Sequence, residues 1–271
     1  QAAVAIQNAR LYEESLRTRQ LEKELEVAGE IQRMLMPRKI PSIPGVSLTV
    51  YNEQSMEVGG DFYDVFPLTS RYVALAVGDV AGKGVPGAIM MASLYTVFHE
   101  YATDPLMIPS DVMGVVNERL HDEGETDRFA TLFYGVLSLK TGAMQYCNAG
   151  HPPPILYRAD GSVSLLDKGG LILGPFLQAE YEMGTIEIVE GDILVLYTDG
   201  VIEARNDDGE EFGVHGLKRV LRTCPGLSAE EVKDYLTNTL RAHTGDASHH
   251  DDVTIITLKV TEGFHSDLQV E

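Results

Sequence analysis

The chain has 271 residues, 44% of them apolar, enough for one sizeable core and an extension. Lysine and arginine number 21 against 41 acidic residues, and the net charge of −20 argues against a nucleic-acid surface or an anionic membrane as partner. There is no apolar run of about eighteen residues and no basic-then-apolar start, and Cys147 and Cys224 match no metal-ligand spacing, so a globular chain without a membrane span, in the reducing cytoplasm, is expected.

Residues 1–36 hold one glycine, no proline and many helix formers, which predicts a long helix. Leu21, Leu25, Ala28 and Leu35 recur at heptad-like steps, with Val4 and Leu11 fitting less well. A paired signalling helix, hence a homodimer, is the expectation; a single helix packed on its own domain is the alternative. Pro37, Pro41 and Pro44 stop the helix, setting a domain at 37–260 and a loose tail at 261–271.

Beyond Pro44 the pattern turns to strands: VSLTVY, FYDVFPL, YVALAVG, TLFYGVLSL, AMQYCNA, PILYR, GTIEIV, ILVLYT and VTIITLKV. Short turns at Lys140-Thr141-Gly142 and Asp160-Gly161 make the pairing mainly antiparallel and exclude a doubly wound parallel sheet. YVALAV and ILVLYT are apolar throughout, so both faces are covered; the expected fold is α+β, two stacked sheets flanked by helices. Helices are expected at about 86–102, 109–122, 213–222 and 228–242. The first, with Val85, Ile89, Met90, Met91, Leu94, Phe98 and Tyr101 around its circumference, is expected between layers, and Ser110 and Ser228 are expected as N-caps, the latter with Glu231 in a capping box.

Several motifs fail. GDVAGKG lacks the first glycine and the final Ser or Thr of a phosphate loop, and NDDGEEFG misplaces the glycine of a calcium loop and is better read as an Asp208-Gly209 turn. Neither cysteine has an arginine six residues on, as a thiol phosphatase would. His151, before three prolines, reads as structural, and His249-His250 form no ligand pair. What remains is an all-oxygen set at strand ends: Asp61, Asp64, Asp79, Asp199, Asp251 and Asp252. Clustered carboxylates cannot all ionise without a counter-charge, and a hard cation such as magnesium or manganese suits oxygen ligands.

VGGDFYDVF, GDVAGKGVPGA, CNAGHPPP, YTDGVIEARN, the FG at 212–213 and DDVTII resemble, in this order, the bacterial branch of the metal-dependent type 2C (PPM) serine/threonine phosphatases, the SpoIIE and RsbU kind, over residues 30–260. Residues 1–14 are similar to the terminal helix of a GAF-type sensor domain. The resemblance implies an αββα sandwich with two Mn2+ or Mg2+ ions between the sheets. It implies Asp79 as the bridging ligand, the Val80 carbonyl, Asp199 and Asp251 as further ligands, Asp61 and Asp64 as holders of metal-bound water, and Asp252 as a neighbour. The eukaryotic proton donor two residues after the bridging aspartate is absent, since Ala81 stands there. The implied reaction is hydrolysis of phosphoserine or phosphothreonine on a STAS-type anti-sigma-factor antagonist, in a partner-switching stress-response pathway controlled by an upstream sensor. A pseudophosphatase scaffold that binds the phosphoprotein is the alternative; a calcium module is disfavoured because its ligands would cluster in one loop.

Overall fold

The computed structural model describes residues 2–37, 39–122, 129–245 and 251–261; His249, His250 and residues 262–271 of the expected tail lie outside the described residues. In chain order the elements are α1 (Ala2–Arg33), β1 (Val46–Glu53), β2 (Phe62–Thr69), β3 (Tyr72–Val80), α2 (Val85–Ala102), α3 (Pro109–Asp122), β4 (Ala130–Ser138), β5 (Ala143–Ala149), β6 (Ile155–Tyr157), β7 (Val163–Leu165), β8 (Gly169–Gly170), β9 (Gly184–Glu187), β10 (Ile193–Tyr197), α4 (Asp199–Ile202), α5 (Gly213–Leu221), α6 (Ala229–Thr244) and β11 (Val253–Val260).

The strands form two sheets. One runs β1-β11-β10-β6-β7, the other β2-β3-β4-β5-β8 with β9 also on β5. Among the described strands only β5 and β8 pair in parallel. Alternation along β3 explains its unbroken apolar run: Leu75 and Val77 face the other sheet with Phe133, Leu196 and Ile256, while Ala74 and Ala76 face α2 and α3. On the far side, Val195, Tyr197 and Ile255 meet Leu217, Val232, Leu236 and Leu240 of α5 and α6. The expected helix-sheet-sheet-helix stack is therefore what the residues build, and Ser228 and Glu231 form the expected capping box.

Three expectations need correction. Helix α2 lies outside the sandwich: Met90, Met91, Leu94 and Phe98 are buried on its sheet-facing side, while Val85 and Ile89 remain 43% and 61% exposed beside α1. A near-continuous apolar circumference therefore served two different neighbours, a sheet and a helix. Ser110 is no cap, because Pro109, whose fixed φ suits a first helical position, already starts α3 and Ser110 falls in its first turn. The α1 seam is divided. Leu21 is exposed, whereas Ala28 and Leu35 line a groove with Val85, Ala88 and Ile89, and a Cβ on Gly29 would stand 2.1 Å from the Glu57 carbonyl oxygen. The end of α1 thus packs on its own chain, and the exposed apolar residues Leu11, Leu16, Leu21 and Val27 remain on the rest of its surface.

Candidate metal centre

The two sheets bring their strand ends together at one edge. Asp79 stands near the end of β3, Asp199 directly follows Thr198 at the end of β10, and Asp251 and Asp252 precede β11. These four aspartates and Val80 line a cleft of about 310 Å³ together with Gly59, Gly60, Lys83, Phe129 and Thr131. Glycine is required at two of these positions. A Cβ on Gly60 would lie 2.9 Å from Asp79 Oδ1 and 3.0 Å from the Val80 carbonyl oxygen, and one on Gly59 would lie 2.1 Å from Asp252 Oδ2. The absence of a side chain at these positions lets the carboxylates of Asp252 and Asp79 approach the backbone closely.

The carboxylates repel one another. Burial, and then the charges of Asp199, Asp251 and Asp252, push the Asp79 carboxyl up to about 8, and burial followed by Asp251 raises that of Asp199. Among the described residues no three His, Cys, Asp or Glu side chains converge at metal-ligand spacing. One reason is visible: Asp251 Oδ2 is turned onto Lys83 Nζ at 3.0 Å. The donor set nevertheless fits a hard divalent cation in its chemistry. It offers three carboxylates from three strand ends and a backbone carbonyl, all oxygen, on one cleft.

Asp61 and Asp64 sit outside this lining, and Asp252, which is part of it, is engaged by the loop before β2. Asp61 lies behind the cleft, 2% exposed, and accepts hydrogen bonds from Thr198 Oγ1 and Thr254 Oγ1, both at 2.7 Å. Burial, then Asp79, raises its carboxyl well above the ordinary range. Because Asp61 precedes β2 while both threonines belong to the β10 and β11 ends, this carboxyl ties one sheet to the other. Asp64 points away from the cleft, to α2, where His99 Nδ1 lies 2.9 Å from its Oδ2. Asp252 holds the loop before β2: it accepts from the backbone N–H of Ser55 and of Gly60, each at 2.8 Å, and from Ser55 Oγ at 3.0 Å.

Two cleft neighbours were not singled out by sequence. Lys83 is the ion-pair partner of Asp251. Gln32 of α1, 4% exposed, bonds both backbone groups of Gly59. His151 is buried with Nε2 3.1 Å from the Tyr197 carbonyl oxygen and Nδ1 2.9 Å from Thr131 Oγ1, and burial lowers its pKa to about 3. It is a neutral spacer behind Thr131, consistent with a structural role. Cys147 and Cys224 are free and buried, and burial pushes the Cys147 thiol up to about 12, so neither offers a ready thiolate.

Comparison with known proteins gives the family. The model of Stage II sporulation protein E (SpoIIE) matches residues 69–261. The chain belongs to the SpoIIE family. It is 28% identical over 246 residues to phosphoserine phosphatase RsbU of Bacillus subtilis, covering 89% of this chain and 71% of RsbU. It is also 28% identical over 261 residues to protein IcfG of Synechocystis sp., covering 86% of this chain and 41% of IcfG, so it spans less than half the length of that relative. Among solved structures, the SiaA-PP2C domain of Pseudomonas aeruginosa superposes with a TM-score of 0.80 at 20% identity, covering 90% of this chain and 98% of that one. Less similar structures of the same fold contain metal: RsbX with magnesium (TM-score 0.63, 19% identical) and the PstP catalytic domain with two manganese ions (TM-score 0.57, 15% identical).

Proposed function

We propose that the chain is a metal-dependent protein serine/threonine phosphatase that hydrolyses a phosphorylated STAS-type anti-sigma-factor antagonist. The observation that carries this reading is that Asp79, Val80, Asp199 and Asp251 all line one cleft in a SpoIIE-family chain. Two Mn2+ or Mg2+ ions would be held by these groups and, when bound, would supply positive charge and a water acidified towards neutrality. The chain's own residues do the positioning. Asp252 fixes the loop that carries Gly59 and Gly60, Asp61 fixes the sheets at the site, and Lys83 brings a cation to the cleft edge.

Control is assigned to α1. Its end is bonded to Gly59 and packed against α2, while Leu11, Leu16 and Leu21 further up are exposed, an arrangement suited to a homodimer that passes a signal from an upstream sensor. Partner switching in a stress response is part of the same reading, which the likeness to phosphoserine phosphatase RsbU supports. Incubating the protein with a panel of phosphorylated STAS-type antagonists, with manganese or magnesium and then with excess chelator, tests the reading. Phosphate release that stops in chelator supports it. Tight binding of a phosphoprotein without release would instead favour the pseudophosphatase alternative.

A further inference from the structure

Residues 171–177, LILGPFL, carry no charge in a chain of net charge −20. Leu171, Phe176 and Leu177 are 54%, 49% and 50% exposed, although the segment that displays them is firmly held. Leu173 and Ala130 exchange backbone hydrogen bonds of 2.8 and 3.1 Å. Asn117 of α3 receives the Gly174 N–H at 2.9 Å and donates to the Phe176 carbonyl at 2.9 Å, and His121 Nδ1 donates to the Gly174 carbonyl at 2.8 Å. Three large apolar side chains on an exposed but well-bonded segment form a ready-made contact surface, because little ordering entropy remains to be lost on binding.

The segment is continuous with the cleft. Ala130 pairs with Val80 on one side and with Leu173 on the other, so Leu173 lies two strand spacings, about 10 Å, from the candidate ligand Val80. Phe129, beside Ala130, lines the cleft itself and is 39% exposed. Exposed apolar side chains thus stand both at the cleft, as Phe129, and on the segment paired beside it, as Leu171, Phe176 and Leu177, and together are treated as one apolar ledge. We propose that this ledge docks the folded phosphoprotein substrate by an apolar patch next to its phosphorylated serine. The inference rests on the proposed phosphatase activity. It also meets a difficulty which that activity raises: an acidic enzyme and a phosphoprotein repel at long range, so affinity has to come from an uncharged contact close to the reacting group.

The test uses the Phe176→Ser/Leu177→Ser double variant, with Tyr72→Ser at the opposite end of β3 as control. Turnover is measured on the best antagonist of the panel and on p-nitrophenyl phosphate. Binding is measured separately, as the Kd of the same phosphoprotein for the Asp79→Asn protein with and without the double substitution. The expected result is a loss of about tenfold or more in kcat/KM for the phosphoprotein, carried by KM, and a matching rise in Kd. p-Nitrophenyl phosphate hydrolysis and the control should be unchanged. An unaltered Kd overturns the ledge even if no turnover is seen with any substrate, an outcome that would count against the phosphatase reading instead. Equal losses on both substrates, or a change of oligomeric state in the double variant, would show that the ledge serves the fold or a second copy of the chain.

Discussion

Gln32 and Gly59 are paired as if two strands met: the Gln32 side chain donates from Nε2 to the Gly59 carbonyl at 2.6 Å and accepts the Gly59 N–H on Oε1 at 3.1 Å. The next residue, Gly60, donates to Asp252 and stands over Asp79. One side chain of α1 is thus bonded directly to a residue that lines the carboxylate cleft. Gln32→Leu leaves two buried backbone groups without partners and should cost about 1–3 kcal/mol of stability. It should also raise the manganese concentration for half-maximal activity. Denaturant unfolding and a metal titration check both; wild-type behaviour in each would remove Gln32 from any coupling role.

Asp79 and Asp64 should separate cleanly. Asp79→Asn removes the carboxylate that faces Asp199 and Asp251, and activity should fall to background. Asp64→Asn alters a buried contact to His99 on the helix side, so a stability loss of about 1 kcal/mol with an unchanged metal requirement is expected. Steady-state rates over a manganese series decide between them, and comparable activity of Asp79→Asn and wild type would sink the site.

The metal-free protein should show the reverse of common acid denaturation in this cluster. A carboxyl whose pKa is higher folded than unfolded holds its proton more tightly in the folded state, so its contribution is intact below the ordinary value of 3.8 and is lost as pH rises through about 8. Replacing Asp79 by Asn removes this loss. In chelator, Asp79→Asn should melt above wild type at pH 8, with the gap closing towards pH 4. A constant gap across that range would mean that Asp79 is not under strain from its neighbours.

Gly60→Ala puts a methyl group 2.9 Å from Asp79 Oδ1 and 3.0 Å from the Val80 carbonyl, inside the space between candidate ligands. The protein should remain folded by circular dichroism while calorimetry records weaker manganese binding. Binding equal to wild type would place the cation elsewhere.

The sandwich was legible in sequence because it depends on local pattern, and so was the placement of six aspartates at strand ends; it was the family resemblance, not that pattern, that singled out Asp79, Asp199 and Asp251 as ligands. What escaped depends on partners far along the chain. The donors to the Asp61 and Asp252 carboxylates lie more than a hundred residues away, so their clamping roles could not be separated from ligation. Gln32 looked like any polar residue of a charged helix, although its place between buried Gly29 and Met36 is a signal that could have been followed. Asp64 shares a motif with Asp61 but stands three residues on, on the opposite face of β2, so alternation sends it to α2. The exposure of Val85 and Ile89 was hidden because apolar count alone does not say how many neighbours a helix has.

In the first sheet β11 sits between β1 and β10, pairing residues 46–53 with 253–260. The strand that follows Asp251 and Asp252 is therefore made long after the strand it must lie beside. A chain still emerging from the ribosome has Asp79 and Asp199 but lacks both the third carboxylate and the clamp on Gly60. Until synthesis has passed β11 and the sheet has closed around it, the cleft is incomplete, so a nascent or truncated copy would be inert towards phosphoproteins.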